Sequence, residues 1–160
     1  MTLKRKQEGF TIVELLIVIV VIGILAALVI TTFTGIQQKA RDTERTTDVK
    51  AIHGQVEAYY AQNVSYPGLV ELNSSTWRGT NMKGLDAEAL KDPKFTTSLA
   101  CKDASNNPQL AATPSTGCYG YAVFQSDGTT ACTTAAADCA KYTLTANLEA
   151  GGTTSKTSLN

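Results

Sequence analysis

The segment from Phe10 to Ile30, FTIVELLIVIVVIGILAALVI, constrains this chain more than any other. It carries a single charge, Glu14, and would be apolar on every face of a helix, so it requires lipid or other helices around it. At 1.5 Å per residue the helix would be about 32 Å long, the depth of a bilayer core. A secretory signal peptide has a shorter apolar core and a small-x-small cleavage site after it. The best candidate here, Leu25-Ala26-Ala27, puts a large residue where a small one is needed. A plain membrane anchor fits the length but leaves Gly9 and Glu14 without a role. The third reading is a leader removed before the apolar run, with the helix kept in the mature protein.

Charge placement orients the run. The whole chain balances 14 basic against 14 acidic residues, with a sequence pI near 6.6, which argues against a nucleic-acid footprint over the whole chain. Residues 1–9 hold Lys4, Arg5 and Lys6 against Glu8, and everything after Gly9 is net negative. Basic residues just before an apolar run keep that end in the cytoplasm, so the remainder is expected outside. Cys101, Cys118, Cys132 and Cys139 all lie in that remainder, and an even count in an exported domain reads as disulfides.

Glu14 is costly where it stands, of order 3 kcal/mol at mid-bilayer and less near a helix end. No Lys or Arg occurs between Glu14 and Lys39. A cut after Gly9 would create a cation, the α-amine of Phe10, which could meet Glu14 of another subunit. The alternative is a carboxylate that reaches headgroup water from near the helix end.

Residues 4–30, KRKQEGFTIVELLIVIVVIGILAALVI, resemble the N-terminus of type IV pilins and of the related type II secretion pseudopilins. The resemblance rests on the short basic leader, Gly9 before the cut, Phe10 and Thr11 after it, Glu14, and the unbroken apolar run. It implies that a prepilin peptidase cuts between Gly9 and Phe10 and N-methylates Phe10. It also implies that Glu14 meets a neighbouring subunit's N-terminus. Implied partners are identical subunits in a helical homopolymer, the prepilin peptidase, a platform membrane protein and a cytoplasmic assembly ATPase. Nucleic acid enters only as filament cargo, and no cofactor is implied. The implied location is the plasma membrane before assembly and then a filament on the cell surface, serving adhesion, twitching motility or DNA uptake. A major pilin is the first expectation, with a pseudopilin or minor pilin of a secretion or competence system as the alternative. A membrane-anchored binding domain that is never processed is the rival from outside the family. Many pilins of the well-known Gram-negative groups carry a Pro late in the apolar helix; here Thr31 and Thr32 stand in that region, followed by Phe33, Thr34 and Gly35.

The helix is expected to continue. Arg41/Glu44, Asp42/Arg45 and Arg45/Asp48 are spaced i,i+3, as on a solvated helix. Val49, Ile52, Val56, Tyr59 and Tyr60 then form one apolar stripe, and Asn63 with Tyr66-Pro67-Gly68 ends it. His53 stands alone on this half, as a surface or half-buried residue rather than a metal ligand. Residues 63–117 read as loop-rich, with one short helix from Asp86 to Leu90 capped by Asp86. Two strands follow. Cys118–Gln125 puts Tyr119, Tyr121 and Val123 on one face, and Lys141–Glu149 turns Tyr142, Leu144, Ala146 and Leu148 inward. The tail, residues 150–160, is expected to be mobile or to lie against the surface. Local closure favours Cys132–Cys139 with Cys101–Cys118, and two other connectivities stay compatible with the sequence.

No HExxH, Gly-rich phosphate loop or GxSxG occurs. The acids Asp86, Glu88, Asp92 and Asp103 read as solvated loop carboxylates rather than a calcium site. Asn63-Val64-Ser65 and Asn73-Ser74-Ser75 match the glycosylation triplet. The expected fold is α+β of the pilin type. A long N-terminal helix, its hydrophobic half protruding, packs by its C-terminal half on a small antiparallel sheet. The expected organisation is a cleaved leader (1–9), a transmembrane or filament-core helix (10–33), its amphipathic continuation (34–62) and a globular head (63–160). A structural subunit, not an enzyme, is the expectation.

Overall fold

The computed structural model describes residues 9–132 and 138–160. All of the leader except Gly9 lies outside the described residues, as does the middle of the Thr/Ala-rich loop between Cys132 and Cys139. Helix α1 spans Ile12–Asn63, followed by α2 (Leu69–Asn73), α3 (Ser75–Asn81) and a single 3-10 turn at Ala87–Leu90. Strands β1 (Gly120–Gln125), β2 (Cys139–Asn147) and β3 (Thr153–Thr157) form one antiparallel sheet in the order β1-β2-β3. The architecture is α+β, consistent with a pilin fold. Two compact units divide the chain, Met1–Gln38 and Lys39–Asn160.

The second unit is organised by the period-3.6 stripe of α1. Val49, Ile52 and Val56 are fully buried, and Tyr59 and Tyr60 pack at the margin. Opposite them the sheet contributes Tyr119, Tyr121 and Val123 from the β1 segment and Tyr142, Leu144 and Ala146 from β2, the faces expected from alternation. Leu148 lies past the end of β2 and is only half-buried. The tyrosine hydroxyls are satisfied at the rim of this core. Tyr121 donates to the Pro67 carbonyl at 2.8 Å, while Tyr66 and Tyr142 donate to Glu57 on α1 at 3.0 and 2.9 Å. His53 is half-buried with Nδ1 2.5 Å from the Tyr142 hydroxyl.

Three expectations are corrected. The region after α1 is not simply loop-rich. Ser74 caps α3 by accepting from the Trp77 amide, and α2 buries Leu72. Both helices are too short for periodicity to reveal them. Asp86 does cap the next segment, accepting from the Glu88 amide, but that segment is only one 3-10 turn. The tail is not merely laid on the surface but supplies a strand of the sheet. Gly151 and Gly152, at φ +97° and +80°, turn the chain back, and Thr153–Thr157 pairs with β2 from Asn147 to Thr143. Beyond β3, Leu159 donates its amide to Glu57 at 3.3 Å and the Asn160 side-chain amide reaches Tyr66 at 3.2 Å.

Gly120 is demanded by space. A Cβ there would lie 2.5 Å from the Pro114 ring, because the 113–114 backbone crosses this position. The neighbouring Ala111 closes the outer edge of β1 by accepting from the Tyr121 amide and donating to Tyr119. The disulfides are Cys101–Cys118 and Cys132–Cys139.

Candidate assembly interface

Within the first unit, α1 begins at Ile12 with a reciprocal capping box. Thr11 Oγ1 accepts from the Glu14 amide at 3.2 Å, and Glu14 Oε2 accepts from the Thr11 amide at 2.9 Å and from the Thr11 hydroxyl at 2.7 Å. Glu14 is therefore placed by local backbone chemistry as well as by any partner. Its negative charge also sits in the first turn, where the helix dipole favours it. The T-x-x-E spacing at residues 11–14 carries this signal, and the sequence reading gives Thr11 no role beyond the family pattern. Among the described residues Oε1 of Glu14 has no hydrogen-bond partner.

Behind the cap, α1 includes a stretch long and apolar enough to cross a membrane, none of it buried. Large apolar side chains from Phe10 to Ile36 are exposed, Phe10 itself at 85%. Helix persists through Thr31–Gly35 despite the weak propensity there. Part of the reason is visible: the Thr32 hydroxyl folds back to the Leu28 and Val29 carbonyls at 3.2 and 3.0 Å, so it adds no unpaired polar group to an apolar surface.

In the second unit the first residues of α1 are fastened by an ion network. Arg45 is 1% exposed, not solvated as its spacing suggests. Its guanidinium grips Asp92 bidentately, Nε to Oδ2 at 2.7 Å and Nη2 to Oδ1 at 2.9 Å. Its Nη1 donates to Asp42 at 2.7 Å and to Glu149 at 3.0 Å. Glu149 also accepts from Arg41 at 2.7 and 2.8 Å and meets Lys94 at 2.8 Å. Asp42 accepts the Glu149 and Ala150 amides at 2.9 and 3.0 Å, which fixes the start of the β2–β3 turn.

These contacts replace the expected helix-face pairs. Of those pairs only Asp42–Arg45 forms. Arg41 turns to Glu149, and Asp48 accepts the Tyr119 hydroxyl at 2.7 Å. Asp92, expected to be a solvated loop acid, is 3% exposed beneath Arg45.

The electrostatics follow the contacts. The bond from Asp92, with help from Glu149 and Asp42, outweighs burial and holds the Arg45 guanidinium charged. The Arg41 bond, together with Lys94 and Arg45, overrides burial and keeps the Glu149 carboxyl well below the usual range. Burial pushes Asp42 up, but its two amide bonds and Arg45 more than reverse that. Among the described residues Asp48 has no ion-pair partner, and burial raises its pKa to about 6.

Among the described residues, no cluster of three or more His, Cys, Asp or Glu side chains is gathered for a metal ion. Asp103 accepts the Ser105 and Asn107 amides within its own turn. The Asn73 side chain is committed in both directions to the Leu110 backbone, at 2.9 and 2.8 Å, so the second glycosylation triplet presents an engaged amide.

A family described as the prokaryotic N-terminal methylation motif matches residues 4–30. Beyond that motif the chain is similar to type II secretion system core protein G from several bacteria. The Aeromonas hydrophila protein is 36% identical over 84 residues, 52% of this chain and 50% of that protein. That of Dickeya chrysanthemi is 37% identical over 65 residues, 41% of this chain and 42% of the relative. That of Escherichia coli (strain K12) is 39% identical over 62 residues, 39% of this chain and 43% of the relative. The chain thus spans about half the length, or less, of the curated relatives it matches. No solved structure matches. By its methylation motif and its likeness to these core proteins, the chain is similar to the type IV pilin family, in the broad sense that includes type II secretion pseudopilins.

Proposed function

We propose that this chain is a pseudopilin-like structural subunit of a type II secretion filament. The observation that carries the proposal is the pairing of a methylation motif at residues 4–30 with likeness to core protein G over 84 residues, a stretch longer than the motif and the apolar run together. That extended likeness favours the pseudopilin over the major surface pilin first expected. A major pilin serving adhesion, twitching motility or DNA uptake is the second reading; the N-terminal motif alone would support it equally.

In the proposed pathway the chain waits in the plasma membrane with residues 1–9 inside. Prepilin peptidase cuts between Gly9 and Phe10 and methylates the Phe10 amine. Identical subunits then stack with their apolar helices together, driven by an assembly ATPase through a platform membrane protein. The capping box gives Glu14 a ready geometry for this step. Oε2 stays with Thr11 while Oε1 is presented for the amine of a neighbour's Phe10, which compensates a carboxylate that would otherwise be costly in apolar surroundings.

Intact-mass measurement of the assembled protein tests the processing: loss of residues 1–9 and gain of one methyl on Phe10 are expected, and Met1 or Thr2 at the N-terminus refutes it. Glu14→Ala should still be cut but should fail to assemble, while Glu14→Gln should keep the cap and assemble weakly. Normal assembly of both variants removes the pairing role. Deleting the gene separates the two readings, because loss of protein secretion with motility intact supports the pseudopilin and the reverse supports the pilus.

A further inference from the structure

Two buried arginines in the second unit differ in one respect. Arg45 meets three carboxylates. Arg78, in α3, is 9% exposed, and among the described residues none lies within ion-pair distance of it. The one hydrogen bond of its guanidinium there runs from Nη1 to the Leu72 carbonyl at 2.6 Å. Burial lowers its pKa with no opposing charge to raise it again. A desolvated guanidinium without a counter-charge is expensive and is normally paired.

The rest of the guanidinium fork is not sealed away. Among the described residues, no fully buried side-chain nitrogen lacks a partner, so Nε and Nη2 of Arg78 must reach the surface. Arg78 lines a cleft of about 250 Å³, together with Asn73, Ser75, Glu88, Asp103 and Asn107. The two acids in its wall are turned to other partners. Glu88 meets Lys91 at 3.3 Å, and Asp103 holds Ser105 and Asn107 at 2.8 Å. They leave Arg78 unpaired, and their charge disfavours a dianion. A planar monoanion that can take two parallel N–H bonds fits the fork best.

We propose that the Arg78 cleft is a binding site for a carboxylate group, held by the free side of the guanidinium fork. The carboxylate belongs either to a small soluble acid or to an acidic side chain of a second copy of this chain. The second source rests on the filament reading above; the first does not.

The test uses the full chain in detergent micelles, observing the arginine Nε–H resonances by NMR. Sodium acetate, inorganic phosphate and sodium chloride are titrated at matched ionic strength. Acetate should shift the Arg78 resonance saturably and more tightly than phosphate, and chloride should give no saturation. Arg78→Lys, which keeps the charge and loses the fork, should bind acetate about tenfold more weakly when followed by competition calorimetry. Arg78→Gln should not bind it. A response to acetate no different from chloride, tighter binding of phosphate, or unchanged affinity in Arg78→Gln overturns the proposal. The wild-type titration decides even where a variant folds poorly. In assembled filaments, acetate that still saturates Arg78 identifies a soluble acid. Acetate excluded from filaments, with Arg78→Gln filaments dissociating more readily, identifies the carboxylate of another copy. Failure to form filaments refutes the functional reading and leaves the micelle titration unaffected.

Discussion

Replacing Arg45 by Leu removes the cation from beneath Asp92. Asp92 then loses contacts of 2.7 and 2.9 Å and keeps only the bond from the Lys94 amide at 2.7 Å. The other two acids are better protected. Asp42 retains the Glu149 and Ala150 amides, and Glu149 retains Arg41 and Lys94. The cost therefore falls mainly on one carboxylate that is 3% exposed. Leaving a buried carboxylate without its partner costs about 3–5 kcal/mol. For a domain of this size that is a fall in melting temperature of about 10–15 °C. Near-UV circular dichroism of the full chain in micelles at pH 7 would follow the transition through the buried tyrosines. Adding Asp92→Asn to the Arg45→Leu variant removes the stranded charge and should recover about half of the loss. A fall of less than about 3 °C in the single variant, or no recovery in the double variant, would refute the claim that Arg45 compensates Asp92.

Other outcomes follow from single positions. Gly120→Ala drives a methyl group to 2.5 Å from Pro114 and should destabilise by about 2 kcal/mol, read from denaturant unfolding; a neutral effect would mean the 113–114 segment moves freely. Asp48 has its pKa raised to about 6 from an ordinary 3.8, so the folded state binds the proton more tightly and stability falls as pH rises from about 4 to 6. Asp48→Asn should remove that fall, with a relative gain at pH 7 of roughly 1 kcal/mol after allowance for solvent screening, and an unchanged pH profile would exclude the effect. Serine replacement of Cys101 and Cys118 should cost about 3 kcal/mol, and of Cys132 and Cys139 about 2.5 kcal/mol, from the lengths of the loops they close. Chemical denaturation of each pair variant checks the order.

The parts of this fold that could be read from sequence are those with a strict period. Val49, Ile52 and Val56 repeat at helical spacing, and Tyr142, Leu144 and Ala146 alternate as a strand, so each face is forced by burial. The same logic misreads Arg45. Its Asp42 spacing suggests a solvated pair, whereas its partners Asp92, which is buried, and Glu149 stand 47 and 104 residues away, and no local pattern encodes them. β3 escapes for a different reason. TTSKT has no apolar alternation; the strand is held by backbone pairing and by two glycines that could equally mark a loose tail. At the candidate interface the apolar run was plain, while the capping role of Thr11 needed the T-x-x-E spacing to be read for backbone geometry as well as for family likeness.

The ion network at the start of the second unit also has a mechanical meaning. A subunit held in an assembly by its apolar segment would be pulled along α1, and the load would enter this unit at Lys39. The first cross-links it meets are Arg41 to Glu149, Asp42 to the Glu149 and Ala150 amides, and Arg45 to Asp92 and Glu149, which join the helix to two distant loops. Force would thus be shared between the β2–β3 turn and the 92–94 segment before it reached the Val49–Val56 core. Packing alone would have to slide as one surface, whereas these bonds must be broken in parallel, so rupture force should respond to Arg45 even under conditions where equilibrium stability is held constant.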